Sequence, residues 1–388
     1  MTEQRAKPQP KFLLPVLMGI LLLLNILLRI ITLPIPSPDM YQYLLEWVEI
    51  LRSHGGFAGL AINFSDYNPP YLYLLTLISY LPAGQAMFWI KIASALMDFA
   101  LAGAAFGILR ALAVRRDYAA AGAILLLFAP SVWSVSSVWG QCDGFYTFFL
   151  FLTILALLSQ RPYAALAAFT LAISFKLQSI FLAPLLLVLL LRRQIPWKSL
   201  LVGIPLYLLA LLPAALAGRS WLDLLTIYFN QANSYDRLTL NAPNLYAFIP
   251  PRYYHPVVYI GIALAGLVCL GLALWLARRE QPFSRLQLMA IAAAFLFIVP
   301  YLLPKMHERY FFAAAAAYLI LSIADRRFWP VAAGLQITNA IPYFYFINGA
   351  NTPAVVLIPL AVLQTVLLGF SLYRTRQVLA APPAQVTV

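Results

Sequence analysis

Four ionisable side chains fall within five residues in the run Lys305-Met306-His307-Glu308-Arg309, between two long apolar stretches. If this run is helical, Lys305 and Arg309 share a face at a spacing of four, with Glu308 beside them to hold the guanidinium. Two cations at the rim of a membrane cavity make a phosphate site, and an arginine can bind two phosphate oxygens together. Far upstream, the polar passage 34–70 holds Asp39, Glu46, Glu49 and Asp66, four of the thirteen carboxylates in the chain. Taken alone, Asp39 reads as the N-cap of a helix over 40–51, where a carboxylate meets the helix dipole. In company with other polar groups on the same side, it is placed to take a proton from a hydroxyl nucleophile.

Two further groups interrupt apolar sequence. Trp139-Gly140-Gln141-Cys142-Asp143 marks a junction between spans, where Gln141 and Asp143 either anchor the interface or meet a sugar hydroxyl or a cation. Lys176 and Gln178 lie between short apolar runs. An ammonium at that depth faces a cavity or a partner, unless its stem lets it snorkel to the surface. The passages 241–246 and 252–255 add asparagines and aromatic rings suited to sugar or to lipid headgroups. No nucleotide loop, no HExxH, no CxxC pair and no GxSxG motif occurs, and three histidines make a histidine-rich metal site a poor reading. Cys142 and Cys269 form no disulfide framework.

The elements that must position these residues are membrane helices. With 63% hydrophobic and 10% charged residues and a mean hydropathy of +0.83, the chain lies far outside the range of soluble domains. The net charge of +13 comes from short basic clusters between apolar segments, which are topology signals rather than a nucleic-acid surface. We therefore expect an all-α polytopic membrane protein forming one domain over 1–388, with about twelve spans. They fall at 12–33, 85–112, 118–137, 145–159, 163–175, 179–191, 197–217, 256–277, 286–303, 311–324, 328–347 and 353–373. The segments 163–175 and 179–191 are short for a bilayer and read as half-helices, re-entrant pieces or spans longer than their apolar cores.

Basic pairs such as Arg115-Arg116, Arg192-Arg193, Arg278-Arg279 and Arg326-Arg327 then fall on one side, with both termini and a tail over 374–388 in the cytoplasm. The polar passages fall on the other side, so the site faces outward from the cytoplasmic membrane. The first outer loop, 34–84, should carry two interfacial helices, one over 41–51 with an apolar stripe and one over 71–81. The polar ends, 1–10 and 380–388, should be loose.

Asp39, SDYNPPYLYL (65–74), SVWGQCDGFY (137–146), SFKLQSIFL (174–182) and LPKMHERYF (303–311) together resemble the bacterial relatives of the GPI-anchor second-mannosyltransferase. These are GT-C class glycosyltransferases that use polyprenyl-phosphate sugars. The resemblance runs from the first outer loop to about residue 311. It implies a GT-C helical fold and an acidic base in that loop, carried here by Asp39 with Asp66 as the alternative. It also implies donor phosphate contacts at Lys305, His307 and Arg309, with Lys176 in support, and substrate contacts at Gln141, Asp143, Asn68, Gln178, Glu308 and Tyr310. The donor would be a lipid-linked sugar and the acceptor a lipid, glycan or protein hydroxyl. No cofactor is required, although a divalent cation between Asp143 and the phosphate is compatible with the pattern. Near Asp66 the family pattern has Asn, which favours Asp39. The competing reading is a transporter or flippase for lipid-linked saccharides, which usually shows related halves and a midplane site; neither is visible here. A third is an assembly protein that keeps the fold without activity, against which the retained Asp39 and 304–310 cluster argue.

Overall fold

The computed structural model describes residues 13–231 and 236–381, and the polar ends discussed above lie largely outside these limits. The chain builds helices in the order α1 Leu13–Thr32, α2 Leu45–Ser53, α3 Pro69–Ser79, α4 Ala86–Ala111, α5 Arg116–Phe128 and α6 Pro130–Trp133. There follow α7 Asp143–Leu158, α8 Pro162–Phe175, α9 Ala183–Leu191, α10 Gly203–Leu216, α11 Trp221–Gln231 and α12 Tyr254–Ala277. The last are α13 Arg285–Leu302, α14 Phe312–Ala324, α15 Trp329–Ile347 and α16 Ala354–Ala380. Two short strands, β1 Thr239–Leu240 and β2 Met306–His307, pair in parallel.

Helices dominate because in a bilayer each backbone amide must be satisfied within its own segment. Every apolar segment expected from the sequence is largely helical, but the expected span 118–137 is broken in two by a 50° bend at Ala129. Among the described residues six helices are long and apolar enough to cross a membrane, and a seventh span arises if the bent pair α5 and Pro130–Trp139 is one crossing. Helix α7, helix α8 and the stretch Leu177–Leu191 are shorter apolar helices. The protein is thus a polytopic, all-α integral membrane protein, with fewer full-length crossings by this measure than the expected twelve.

Prolines punctuate the chain: Pro69 and Pro70 open α3, Pro130 restarts the chain after the bend at Ala129, and Pro162 opens α8. Each sits where a missing N–H costs nothing, since first-turn amides have no intrahelical acceptor. Helices α4, α7, α8, α13 and α14 form the packed centre, while α1, α10, α12 and α16 keep most of their surface toward lipid. In the centre the alanine run 313–317 is wholly buried, which lets α14 approach its neighbours closely.

The first loop contains the two helices expected of it, α2 and α3, joined by a short 3-10 turn over Gly56–Ala61. Tyr71, Leu72 and Leu75 of α3 and Leu44, Val48 and Leu51 before and within α2 share one apolar cluster. Lys91 of α4 turns its ammonium onto the carbonyls of Leu33 and Ile35, closing the end of α1 where Pro34 prevents the helix from continuing. Deeper, Arg29 of α1 meets Asp98 of α4 at 2.6 Å and also donates to Ser136 Oγ at 2.9 Å. That buried pair fixes the first helix to the body of the bundle.

One helix was not foreseen. Segment 218–255, read from sequence as a long outer passage, contains α11, with Leu222, Leu225 and Phe229 exposed and Ile227, Asn230 and Gln231 turned toward a cavity. Its apolar outer face gives it the character of a further interfacial helix.

Candidate active site

Junctions at one end of the bundle converge on a cavity of about 710 Å³. They are the first loop after α1, the turn before α7, the end of α11, the passage 237–241, the α13 to α14 link and the end of α15 with the residues after it. The charged and polar groups on its wall include Asp39, Asp66, Gln141, Arg237, Glu308 and Arg309.

Asp39 does not cap its helix: no backbone amide of the first turn donates to its side chain. Its Oδ2 instead accepts from Arg309 Nη1 at 2.7 Å, Gln141 Nε2 at 2.8 Å and Trp139 Nε1 at 2.9 Å. The helix that begins here opens with a π turn over Met40–Leu44, and the preceding Ser37 Oγ donates to the Trp139 carbonyl at 3.0 Å. The first loop is therefore pinned to the turn before α7 on both sides of the carboxylate. Gly140 makes that turn, with φ 77°, and an added Cβ would lie 2.5 Å from Met40 Cε. Gln141 is held in turn, since its Oε1 accepts from the Tyr67 hydroxyl at 3.0 Å.

Behind the wall a second ion pair is fully enclosed. Lys176 Nζ meets Asp143 Oδ1 at 2.9 Å, both side chains almost wholly buried, and Asp143 Oδ2 lies 3.8 Å from Arg309 Nε. Lys176 sits at the end of α8 in extended backbone and turns inward, so snorkelling is excluded. The rings of Tyr310, Tyr146 and Tyr67 surround its ammonium at 5.6, 5.7 and 5.9 Å. Lys176, Asp143, Arg309 and Asp39 thus form an alternating chain of cation and anion, in which opposite charges offset the cost of burial.

The 304–310 motif differs from the helical expectation. Lys305 has a left-handed backbone with φ 62°, Met306 and His307 form β2, and only Glu308–Phe311 is helical, as a 3-10 turn. The motif is drawn out because β2 pairs with β1, and the Lys305 amide donates to the Leu238 carbonyl at 2.8 Å. Lys305 and Arg309 consequently share no helix face, and the Lys305 ammonium lies 5.7 Å from the Tyr254 ring, away from the cavity lining. Nor does Glu308 hold the Arg309 guanidinium; Asp39 does, and both Glu308 carboxyl oxygens are buried without a hydrogen-bond partner among the described residues.

Burial pushes the Glu308 carboxyl up to about 8, so it is mostly neutral at pH 7. Burial, reinforced by Arg309 and Lys176, lowers the His307 imidazole well below its ordinary value, and it too is neutral. Asp66 lies on the cavity wall in no ion pair among the described residues, and burial raises its carboxyl above the usual range. Of the other residues expected to bind substrate, Asn68 donates to the Ser174 carbonyl at 2.9 Å, tying α3 to α8. Gln178 is buried outside the cavity lining, and the Tyr310 ring lies tilted beside His307, 5.2 Å between ring centres. Asn244, in the passage noted for sugar contacts, is buried and donates to the Leu303 carbonyl at 3.1 Å.

Sequence reasoning missed Arg237, Asn63 and Asn351 on the wall, and gave Trp139 no role of its own. In the fold, Trp139 stacks on Phe346 at 4.6 Å and carries the Arg309 guanidinium 5.2 Å from its ring, as well as bonding Asp39.

No protein-family model matches the sequence, and no curated protein matches it. Among solved structures, the chain is similar to ArnT from Cupriavidus metallidurans, crystallised with undecaprenyl phosphate. The TM-score is 0.56 at 17% identity, covering 95% of this chain and 78% of that one. The chain thus has an ArnT-like GT-C fold, the fold class that the motif resemblance implied.

Proposed function

We propose that the protein is a membrane glycosyltransferase that moves a sugar from a polyprenyl-phosphate donor to an acceptor hydroxyl on the extracytoplasmic side, with inversion. The observation that carries this reading is the meeting of Asp39 and Arg309 at 2.7 Å on the wall of one cavity, in a chain with the fold of a protein that binds a polyprenyl phosphate. The positive-inside distribution of arginines supports the orientation. Mannose is the sugar suggested by the motif resemblance.

In this mechanism Asp39 is the base. The acceptor oxygen bonds to the anomeric carbon as the bond from that carbon to the phosphate oxygen breaks, its electron pair leaving with the lipid phosphate. The acceptor proton passes to Asp39. Charge is conserved inside the site: as Asp39 is neutralised, the guanidinium it engaged turns its field to the phosphate, whose negative charge is growing. Trp139 and Gln141 hold the Asp39 carboxylate while this happens. Arg237 supplies a second cation on the wall, in place of Lys305, and His307 contributes as a neutral donor or acceptor. The enclosed Lys176 and Asp143 pair orients Arg309 rather than touching substrate. Asp66 is the alternative base on the same wall.

The reading is tested by reconstituting the protein in liposomes with a panel of polyprenyl-phosphate sugars and acceptor extracts. Formation of a glycosylated product with release of polyprenyl phosphate is expected. Movement of saccharide lipid across the bilayer with no transfer would replace it with the transporter.

A further inference from the structure

Among the described residues, Glu308 is the one cavity-wall carboxyl that the mechanism leaves unused. It is 1% exposed, yet it lines the cavity, and neither Oε1 nor Oε2 has a hydrogen-bond partner among the described residues. A buried carboxyl without partners is costly, so such a group either stores strain or awaits a ligand. The structural uses of a glutamate are all taken elsewhere. Arg309 is paired with Asp39, and no cluster of metal-ligating side chains occurs among the described residues.

We propose that Glu308 reads the sugar of the donor, its two carboxyl oxygens engaging two neighbouring ring hydroxyls while the adjacent Arg309 faces the phosphate. The inference rests on the proposed function and names the substrate feature that the site selects: a vicinal diol on the glycosyl ring. A neutral carboxyl suits this task, because it donates one hydrogen bond and accepts another, matching a diol in which one hydroxyl accepts and its neighbour donates. Burial keeps Glu308 in that form at pH 7. Neutrality also avoids placing a third anion beside Asp39 and Asp143, next to a phosphate. Its place directly before Arg309 in the 3-10 turn Glu308–Phe311 sets the sugar and phosphate subsites one residue apart. Sites that hydrogen-bond a substrate hydroxyl discriminate strongly against analogues lacking it, since the protein group is then stranded.

The test is equilibrium binding to purified protein in detergent, using polyprenyl phosphate, polyprenyl-phosphate hexoses, and the same hexoses lacking one ring hydroxyl. Glu308→Ala should weaken the hexose-bearing lipids by about a hundredfold while leaving bare polyprenyl phosphate within about threefold. Glu308→Gln, which keeps one donor and one acceptor and guards against misfolding, should lose less than about tenfold. Removal of a contacted hydroxyl should penalise wild type and leave Glu308→Ala indifferent. Equal loss of bare and hexose-bearing lipid in Glu308→Ala, or the same deoxy penalty in both proteins, would overturn the assignment and leave the transferase reading standing. If wild type binds neither the bare lipid nor any hexose-bearing one, both fall.

Discussion

Arg309 donates from Nη1 to Asp39 Oδ2 at 2.7 Å across 270 positions of sequence, joining the α13 to α14 link to the first loop. Both side chains are about a tenth exposed, and both face the cavity. In the proposed mechanism this contact holds the base and its electrostatic partner in one place before any substrate arrives, which is the preorganisation that transfer chemistry uses.

Gln141 touches the proposed base, Asp39, without being one. Replacing it with Ala removes a donor to Asp39 and the acceptor of the Tyr67 hydroxyl. The account expects a fall in kcat of about 10- to 100-fold with the donor Kd within about threefold, measured by single-turnover transfer and by binding.

The Lys176 and Asp143 pair is enclosed, so removing one member strands the other. Lys176→Met should destabilise the fold by about 3 kcal/mol, at the low end for a broken buried pair because Arg309 also lies near Asp143. Adding Asp143→Asn to that variant should restore part of the loss. Thermal unfolding in detergent, followed for wild type, single and double variants, checks the order.

Glu308 gives stability a definite pH dependence. The unfolded chain ionises this group near 4.5, whereas the folded protein holds the proton until about 8. Over that window the folded state binds more protons, so stability falls as pH rises and levels off above it. Arg309 opposes the shift while Asp39 and Asp143 support it, and Tyr343 of α15 also faces the group. Unfolding midpoints between pH 4.5 and 8 should therefore decline more in wild type than in Glu308→Gln, which has no proton to lose.

Much of this was legible in the sequence. Apolar runs of bilayer length dictate helices, but the break at Pro130 inside the expected span 118–137 was not foreseen. Alternation of spans then puts Asp39, Gln141 and Arg309 on one side, because loops two spans apart must share a surface. What local pattern could not supply was long-range pairing. Thr239 sits beside Met306 through the short parallel sheet, and that pairing draws the 304–310 motif out of the helix its charge spacing suggested. The same pairing brings Arg237 to the cavity wall from a passage with no motif of its own. Nor could local pattern show that Asp39 escapes a capping role, which depends on Trp139 and Gln141, a hundred positions away.

The most direct test of the account is single-turnover sugar transfer by Asp39→Asn, measured beside its binding of the same polyprenyl-phosphate sugar. The amide keeps the shape of the side chain and cannot accept the acceptor proton as a carboxylate does. Transfer slowed by at least about 10²-fold with donor binding intact is the predicted result. Transfer at the wild-type rate would contradict the assignment of Asp39 as the base.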